Sequence, residues 1–401
     1  MAEDLHILII GAGITGLLIA QGLKLAGIKH TIFESEITQG IRTREWNLGV
    51  HNADQDLRSL LPSNLYSRLR EAYSDPHHVA GTQEKTPMYN SATGELLHAI
   101  PRPDTINVSR KRLRRLCSEG IDVQYGKMFT GASFEEGGVV AHFMGGESVK
   151  GDLLVGADGT RSLVREVLLG AEKATRVLCE LEVITAIARY RDPEVARRVR
   201  SGHPEVCFGY HPEGMFNMIA ISNVPNPEDP TTWEFYVANS VLEKSPGNIG
   251  NEEIMAQVKS KCQYLAEPFK SSFMEISEDA KLFNDKLYYW APQPWDNHGG
   301  RITLAGDSAH PMPPYRGQGL AQSIRDVANL VKALKSLKES RAKSELPGLI
   351  KEYEEEMIKR GGAEVEMSIR SMNMVHDWEK LMQSPLMKIG GQKIYEAPKT
   401  E

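Results

Sequence analysis

Three glycines near the start of the chain, Gly11, Gly13 and Gly16, stand in the spacing GxGxxG within "GAGITG". That spacing serves phosphate binding. The first glycine permits a tight turn, the second lets the backbone approach a pyrophosphate, and the third lets a helix pack closely on a strand. The helix that follows presents free N–H groups and a partial positive charge, so Ile14 and Thr15 in its first turn join the candidate site. Glu34 lies 18 residues beyond Gly16, where a carboxylate can accept hydrogen bonds from ribose hydroxyls. Two more acids end apolar segments: Asp158 in "DLLVGADG" and Asp307, after Gly306, in "RITLAGD". A Pro-rich turn and a second pair of glycines, Gly317 and Gly319, follow in "PMPPYRGQGL". No nucleophile–base pair and no set of metal ligands is recognisable, so neither a catalytic residue nor a metal ligand is assigned.

The elements that position these residues can be read from periodicity. "LHILII" is a continuous apolar run, as expected of a central parallel strand covered on both faces. "LLIAQGLKLAG" fits a helix ended by Gly27, and "KHTIFE" is a second strand that ends on Glu34. Ser109 is the expected N-cap of the basic helix "RKRLRRLCS", with Leu113 and Leu116 on one face. Strands are expected at "IDVQYG", "VVAHFM" and "DLLVG", and a helix at "SLVREVLLG".

Between residues 180 and 290 the character changes to aromatic and β-branched segments separated by breaks such as "VPNPEDP". An antiparallel sheet is expected there, closed by a helix over "EEIMAQVKSKCQYLAEP". Alternation in "VCFGY" places Val206, Phe208 and Tyr210 on one face, and "FNM" places Phe216 and Met218 together. Such a face suits either an apolar, ring-bearing ligand or packing against helices. "RITLAGD" returns to the first type of strand, a helix starts at residue 319, and residues 345–382 read as charged helices.

The chain has 401 residues, a net charge of −6 and four widely spaced cysteines. Its charge gives no footprint for nucleic acid, and the cysteines form no CxxC pair. No apolar run is long enough to span a bilayer, and the first one leads straight into the glycine turn. A cytoplasmic protein with reduced thiols is expected.

Taken in order, "GAGITG", Glu34, the helix "RKRLRRL", the "DG" strand and the "GD" strand with "PYRGQG" resemble one family. It is the group A FAD-dependent aromatic hydroxylases, flavoprotein monooxygenases with the para-hydroxybenzoate hydroxylase fold. "REWNLGVH" and "PPYRGQGL" look most like its fungal secondary-metabolite members. The resemblance covers residues 5 to 335.

It implies an α/β fold: a Rossmann-like, GR2-type FAD-binding domain, an inserted mainly antiparallel substrate sheet, and C-terminal helices. The expected boundaries are 1–75, 101–178 and 287–335 for the FAD-binding domain, 76–100 and 179–286 for the substrate-binding domain, and 336–401 for the helical segment. It further implies that Glu34 holds the adenosine ribose and that Arg110 reaches the FAD phosphates or ribityl chain. Asp158 would organise the cofactor region, and Asp307 would bond a ribityl hydroxyl. Pro314 would shape the turn beside the reactive carbon, while Gly317, Gly319 and Leu320 bring backbone to the isoalloxazine. Arg44, or its neighbour Arg42, would lie near the flavin. One departure is Ala321, where many members carry asparagine; Gln322 is the candidate to replace its hydrogen bond.

The implied reaction uses NADPH or NADH as a transient electron donor and O2 as co-substrate, through a flavin C4a-hydroperoxide. The oxygen would go to an apolar aromatic or polycyclic small molecule by hydroxylation, epoxidation or Baeyer–Villiger insertion. Two other readings share the frame: an FAD oxidoreductase that desaturates or reduces without oxygen insertion, and a non-catalytic binding protein. A flavin-dependent halogenase would carry Trp-x-Trp-x-Ile-Pro, which "WAPQPW" does not match.

Overall fold

The computed structural model describes residues 5–40, 44–81, 83–102, 105–243, 247, 249–340 and 342–389. The segment His6–Ile10 is a strand because its residues are apolar on both faces, and four of its five are buried. It occupies the middle of a five-stranded sheet in the order Ile302–Leu304, Leu153–Gly156, His6–Ile10, Lys29–Glu34, Val123–Tyr125. All four pairings are parallel. Parallel strands need covering elements on both sides, and the helices Ile14–Leu25, Arg110–Ser118 and Gly319–Ser340 pack together as part of that cover. An antiparallel three-stranded sheet, Phe129–Glu135, Gly138–Phe143 and Ser148–Gly151, contributes Phe129, Val139 and Phe143 to the same core.

Local rules explain several boundaries. Ser109 caps the basic helix by accepting the Arg112 N–H at 3.2 Å, and Leu113 and Leu116 face the core. Gly27, at φ +62°, follows the end of the first helix. The expected single helix over residues 252–268 is shorter: it spans Asn251–Cys262, and Phe269–Met274 forms a separate one. Pro268 lies between them, where it cannot donate the N–H that a continuous helix needs.

The second sheet has seven strands in the order Leu282–Asn284, Glu182–Ala188, Glu234–Val241, Met215–Asn223, Val206–Tyr210, Lys85–Asn90, Leu96–Pro101. Five pairings are antiparallel. The exception joins Val206–Tyr210 to Lys85–Asn90 in parallel, a crossover from the early chain that periodicity cannot show. One face of this sheet packs on its own helices around Cys207, Ile219, Phe235 and Phe269. The other face turns toward the parallel sheet. Beyond the long helix Gly319–Ser340, a 30-residue helix, Leu346–Val375, returns along the molecule. Among the described residues no helix is long and apolar enough to cross a membrane.

Candidate active site

Residues of both sheets wall one cavity of about 2200 Å³. A pocket for one small molecule encloses about 300–1,000 Å³, so this cavity has room for a dinucleotide and a second ligand together. Gly11, Gly13, Ile14, Thr15 and Glu34 line one end, and Arg44, Arg110, Asp158 and Asp307 line its flanks. Pro314, Gly317, Gly319 and Leu320 join them, with Phe208, Tyr210, Phe216 and Met218 from the second sheet.

The glycines divide into two kinds. A Cβ on Gly13 or on Gly319 would meet nothing within 4 Å, so the backbone there is open to the cavity. Gly16 and Gly306 are not on the cavity wall. A Cβ on Gly16 would stand 1.9 Å from the Gly11 carbonyl oxygen, and one on Gly306 would lie 2.7 Å from Thr15 Oγ1. Both therefore set how closely chain segments approach, and they shape the site without facing it.

Glu34 is buried and fixes the glycine loop. It accepts the Ala12 N–H at 2.9 Å, the Glu36 N–H at 3.0 Å and the Ser35 hydroxyl at 3.0 Å, with Arg114 Nη2 at 3.6 Å. Burial opposes its ionisation, but the Glu36 and Ala12 N–H groups, Ser35 and Arg114 outweigh burial and hold the carboxyl below its ordinary value. Arg114 also donates to the Ala12 carbonyl at 2.8 Å and to Glu36 at 2.9 Å. Both backbone groups of Ala12 are thus held by one ion pair. Arg114 escaped the sequence reading, although it stands four residues after Arg110 on the same basic helix. A carboxylate offers about four lone-pair directions, and four donors surround this one; the Ser35 hydroxyl is the one that can rotate away for a ligand. Glu34→Ala is expected to orphan the Ala12 N–H, weaken FAD retention at least tenfold and lower the melting temperature. FAD fluorescence titration and thermal unfolding read the two effects, and unchanged FAD affinity would count against the assignment.

Asp158 and Asp307 differ in their surroundings. Asp158 accepts from Ser162 Oγ at 2.5 Å and from the Leu163 and Val164 N–H groups at 2.8 and 3.2 Å. It caps the helix Leu163–Ala174, and burial still raises its pKa against those bonds. Asp307 is exposed and lines the cavity. Among the described residues no hydrogen bond or ion pair reaches it. Desolvation raises its pKa, partly offset by His310, Arg110 and Arg165 nearby.

The turn bearing Asp307 is anchored from behind. Asp326 accepts the Gly306 N–H at 2.7 Å, His310 Nε2 at 2.7 Å and Arg360 at 2.6 Å. Burial disfavours the charged imidazole, but Asp326 reverses this and raises the His310 pKa. Further on, Gly317 adopts φ +66°, and its carbonyl lies 3.0 Å from His51 Nε2. Burial takes the His51 pKa down to about 4, against the Gly317 carbonyl, so the ring is neutral at physiological pH.

Arg44 pairs with Asp285 and lies 4.9 Å from the Phe283 ring centre. Arg110 stacks 4.5 Å from the Trp46 ring centre. Arg42 lies outside the described residues. Ala321 belongs to the buried core and Gln322 accepts from Arg360 at 2.5 Å, so neither lines the cavity. The expectation that Gln322 replaces a missing side-chain bond inside the cavity is therefore corrected: its amide is turned to the long C-terminal helix.

At the other end, Phe216 gathers Phe208, Tyr210 and Tyr315, with ring centres 5.8, 5.5 and 5.4 Å away. Met374, Val375 and Leu386 close this end. The C-terminal helices thus contribute wall, which their charged sequence did not disclose. Away from the cofactor loop, His78, Glu84 and Glu205 bring possible ligand atoms within 4.8 Å. Arg102 stands among them, 2.8 Å from Glu205 and 3.7 Å from Glu84, so the group is an ion-pair network.

Residues 4–368 match the model of the FAD binding domain family. The FAD-dependent monooxygenase phnB of Penicillium herquei is 40% identical over 390 residues, covering 96% of this chain and 94% of that protein. The chain belongs to the FAD-dependent monooxygenases. The monooxygenase cctM of Talaromyces islandicus is 36% identical, with 96% of both chains covered. Among solved structures, a salicylate hydroxylase substrate complex superimposes with a TM-score of 0.77 at 18% identity, covering 99% of this monooxygenase and 96% of that chain. HpxO of Klebsiella pneumoniae, complexed with FAD and uric acid, gives 0.75 at 20%, covering 98% and 95%. These two show a shared fold. The open backbone at Gly13 and Gly319 and the unpartnered Asp307 are what an extended, hydroxyl-bearing dinucleotide requires, so the residues present fit FAD.

Proposed function

We propose that this monooxygenase holds FAD along the cavity and oxygenates an apolar aromatic or polycyclic molecule at its far end. The observation that carries the reading is the cavity itself: one space with a glycine-loop end and an aromatic end. The adenosine side lies at Glu34 and the glycine loop, where Gly13 and the N–H groups of Ile14 and Thr15 receive the pyrophosphate. Asp307 accepts a ribityl hydroxyl, and Arg110 contributes positive charge to the same stretch. Pro314, Gly317, Gly319 and Leu320 hold the flavin end, with the positive start of helix Gly319–Ser340 toward it. Bound FAD, reduced by NADPH or NADH, supplies the activation of O2.

The protein's own part is binding, orientation and exclusion of water. Phe208, Tyr210, Phe216 and Met218 offer an apolar, ring-matching face, and the C-terminal helices shield it from solvent. We assign residues 1–75, 101–178 and 287–335 to the cofactor, 76–100 and 179–286 to the substrate, and 336–401 to a helical segment whose Met374, Val375 and Leu386 wall the site.

The test is turnover of a panel of polycyclic phenols by FAD-loaded enzyme with NADPH under oxygen-18. At least one product is expected to gain a single labelled oxygen. NADPH oxidation that ends wholly in hydrogen peroxide with every compound would contradict the reading.

A further inference from the structure

The turn that precedes the helix Gly319–Ser340 is held by two distant parts of the chain. Arg316 Nε donates to Glu364 of the long C-terminal helix at 2.5 Å. His51, from the early chain, meets the Gly317 carbonyl through Nε2 at 3.0 Å, across 266 residues. A carbonyl can only accept, so Nε2 carries the proton of the ring. Burial first, and then nearby Arg102 and Arg316, keep that ring uncharged against the pull of the carbonyl.

The backbone makes unusual room for this imidazole. His51 adopts φ +47°, one of two positive values at non-glycine residues among the described ones, in a region that few side chains occupy. A Cβ on Gly49 would stand 2.5 Å from Nε2, and one on Gly317 would stand 2.9 Å from it. The ring thus fills a slot between two glycines, one ending the strand Asn47–Gly49 and one ending the turn Pro314–Arg316. All three residues line the cavity. Backbone held in a sparsely populated region points to a function for the residue that bears it.

What the bond fixes is a peptide plane. In a trans peptide the C=O and the following N–H point opposite ways. With the Gly317 carbonyl on His51, the Gln318 N–H is turned away from the ring. That N–H has no acceptor among the described residues. It stands between two cavity-lining glycines, Gly317 and Gly319, and adds to the free N–H groups of the first helical turn. Glycine passes readily between both signs of φ, so Gly317 by itself leaves this peptide free to turn over.

We infer that His51 is a positioning residue of the flavin site: by clasping the Gly317 carbonyl it aims the Gln318 N–H, with the helix start, at the isoalloxazine and so favours the reduced, anionic form of bound FAD. The inference rests on the reading that the flavin end lies at this turn. A donor fixed toward an anion is worth more than the same donor toward a neutral ring. His51 moves no proton and acts only through the peptide it holds.

The two-electron reduction potential of bound FAD tests this, measured by equilibration with a reference dye, beside fluorescence titration of FAD affinity. His51→Asn keeps a residue that tolerates positive φ, but its amide is too short to reach the carbonyl. It is expected to lower the preference for reduced over oxidised FAD about tenfold, which is ~30 mV for a two-electron couple. In His51→Gln the amide nitrogen reaches as far as Nε2, and most of the potential should return. A wild-type potential in His51→Asn would overturn the clasp, and so would a His51→Gln potential as low as that of His51→Asn. Gly319→Val checks the underlying reading separately, since a Cβ there meets nothing and the side chain enters the cavity. A flavin absorption band unchanged in Gly319→Val would remove the isoalloxazine from this turn, and the role of His51 with it.

Discussion

Valine in place of Gly13 is expected to abolish FAD retention while leaving the apo-protein folded. The backbone at this position, φ −71° and ψ −177°, is one that any residue adopts. A Cβ would meet no protein atom within 4 Å. The added carbons therefore enter the cavity, where the pyrophosphate must approach the loop. Affinity should fall at least about a hundredfold, roughly 2.8 kcal/mol, with little change in the melting temperature of the apo-protein. Gly16→Ala should behave in the opposite way. Its Cβ would lie 1.9 Å from the Gly11 carbonyl oxygen, so the loop and helix must separate and stability falls by several kcal/mol, on the order of 4. Equilibrium FAD titration and apo-protein unfolding separate the two glycines. A Gly13→Val enzyme that stays yellow through purification would remove the pyrophosphate from this loop.

Asp307→Asn is expected to trade cofactor for stability. The wild-type carboxylate has no partner among the described residues, and desolvation raises its pKa. A carboxylate raised by folding favours the folded state at pH below its ordinary value, and that advantage is lost as pH rises through the folded value. At neutral pH the apo-protein thus carries an anion that His310, Arg110 and Arg165 offset only in part, and the amide removes it. The apo-protein of the variant should melt higher than wild type at neutral pH, with the difference vanishing in acid. A bound ribityl hydroxyl would satisfy the carboxylate, so the variant loses a charge-assisted bond of about 1.5–3 kcal/mol and about ten- to hundredfold in FAD affinity. Wild-type affinity in Asp307→Asn would show that the ribityl chain lies elsewhere.

Much of this site was legible because cofactor loops are local. Gly11 to Gly16, Glu34 and the strand ends at Asp158 and Asp307 each sit at a fixed offset from an apolar run, and the parallel sheet gathers those strand ends at one edge. The facing side chains of "VCFGY" were legible for the same reason, since alternation in a strand is a property of neighbours. What stayed hidden is long-range. Arg114 matters because it reaches Ala12, 102 residues away, and nothing in the basic helix distinguishes it from its neighbours. Asp326, His310 and Arg360 meet only because two helices cross behind the turn. Lys85–Asn90 joins the second sheet across 120 residues, from Met88 to its partner Phe208. That Ala321 belongs to the buried core was hidden for a related reason, since its place after Gly319 says nothing of what packs on it.

The most direct test of the account is a crystal structure of the FAD complex. The pyrophosphate is expected against the backbone of Gly13 and Ile14, a ribityl hydroxyl on Asp307, and the isoalloxazine beside Pro314 to Gly319 with the Phe208–Phe216 face across from it. An isoalloxazine found away from that turn, or a pyrophosphate away from the glycine loop, would contradict it.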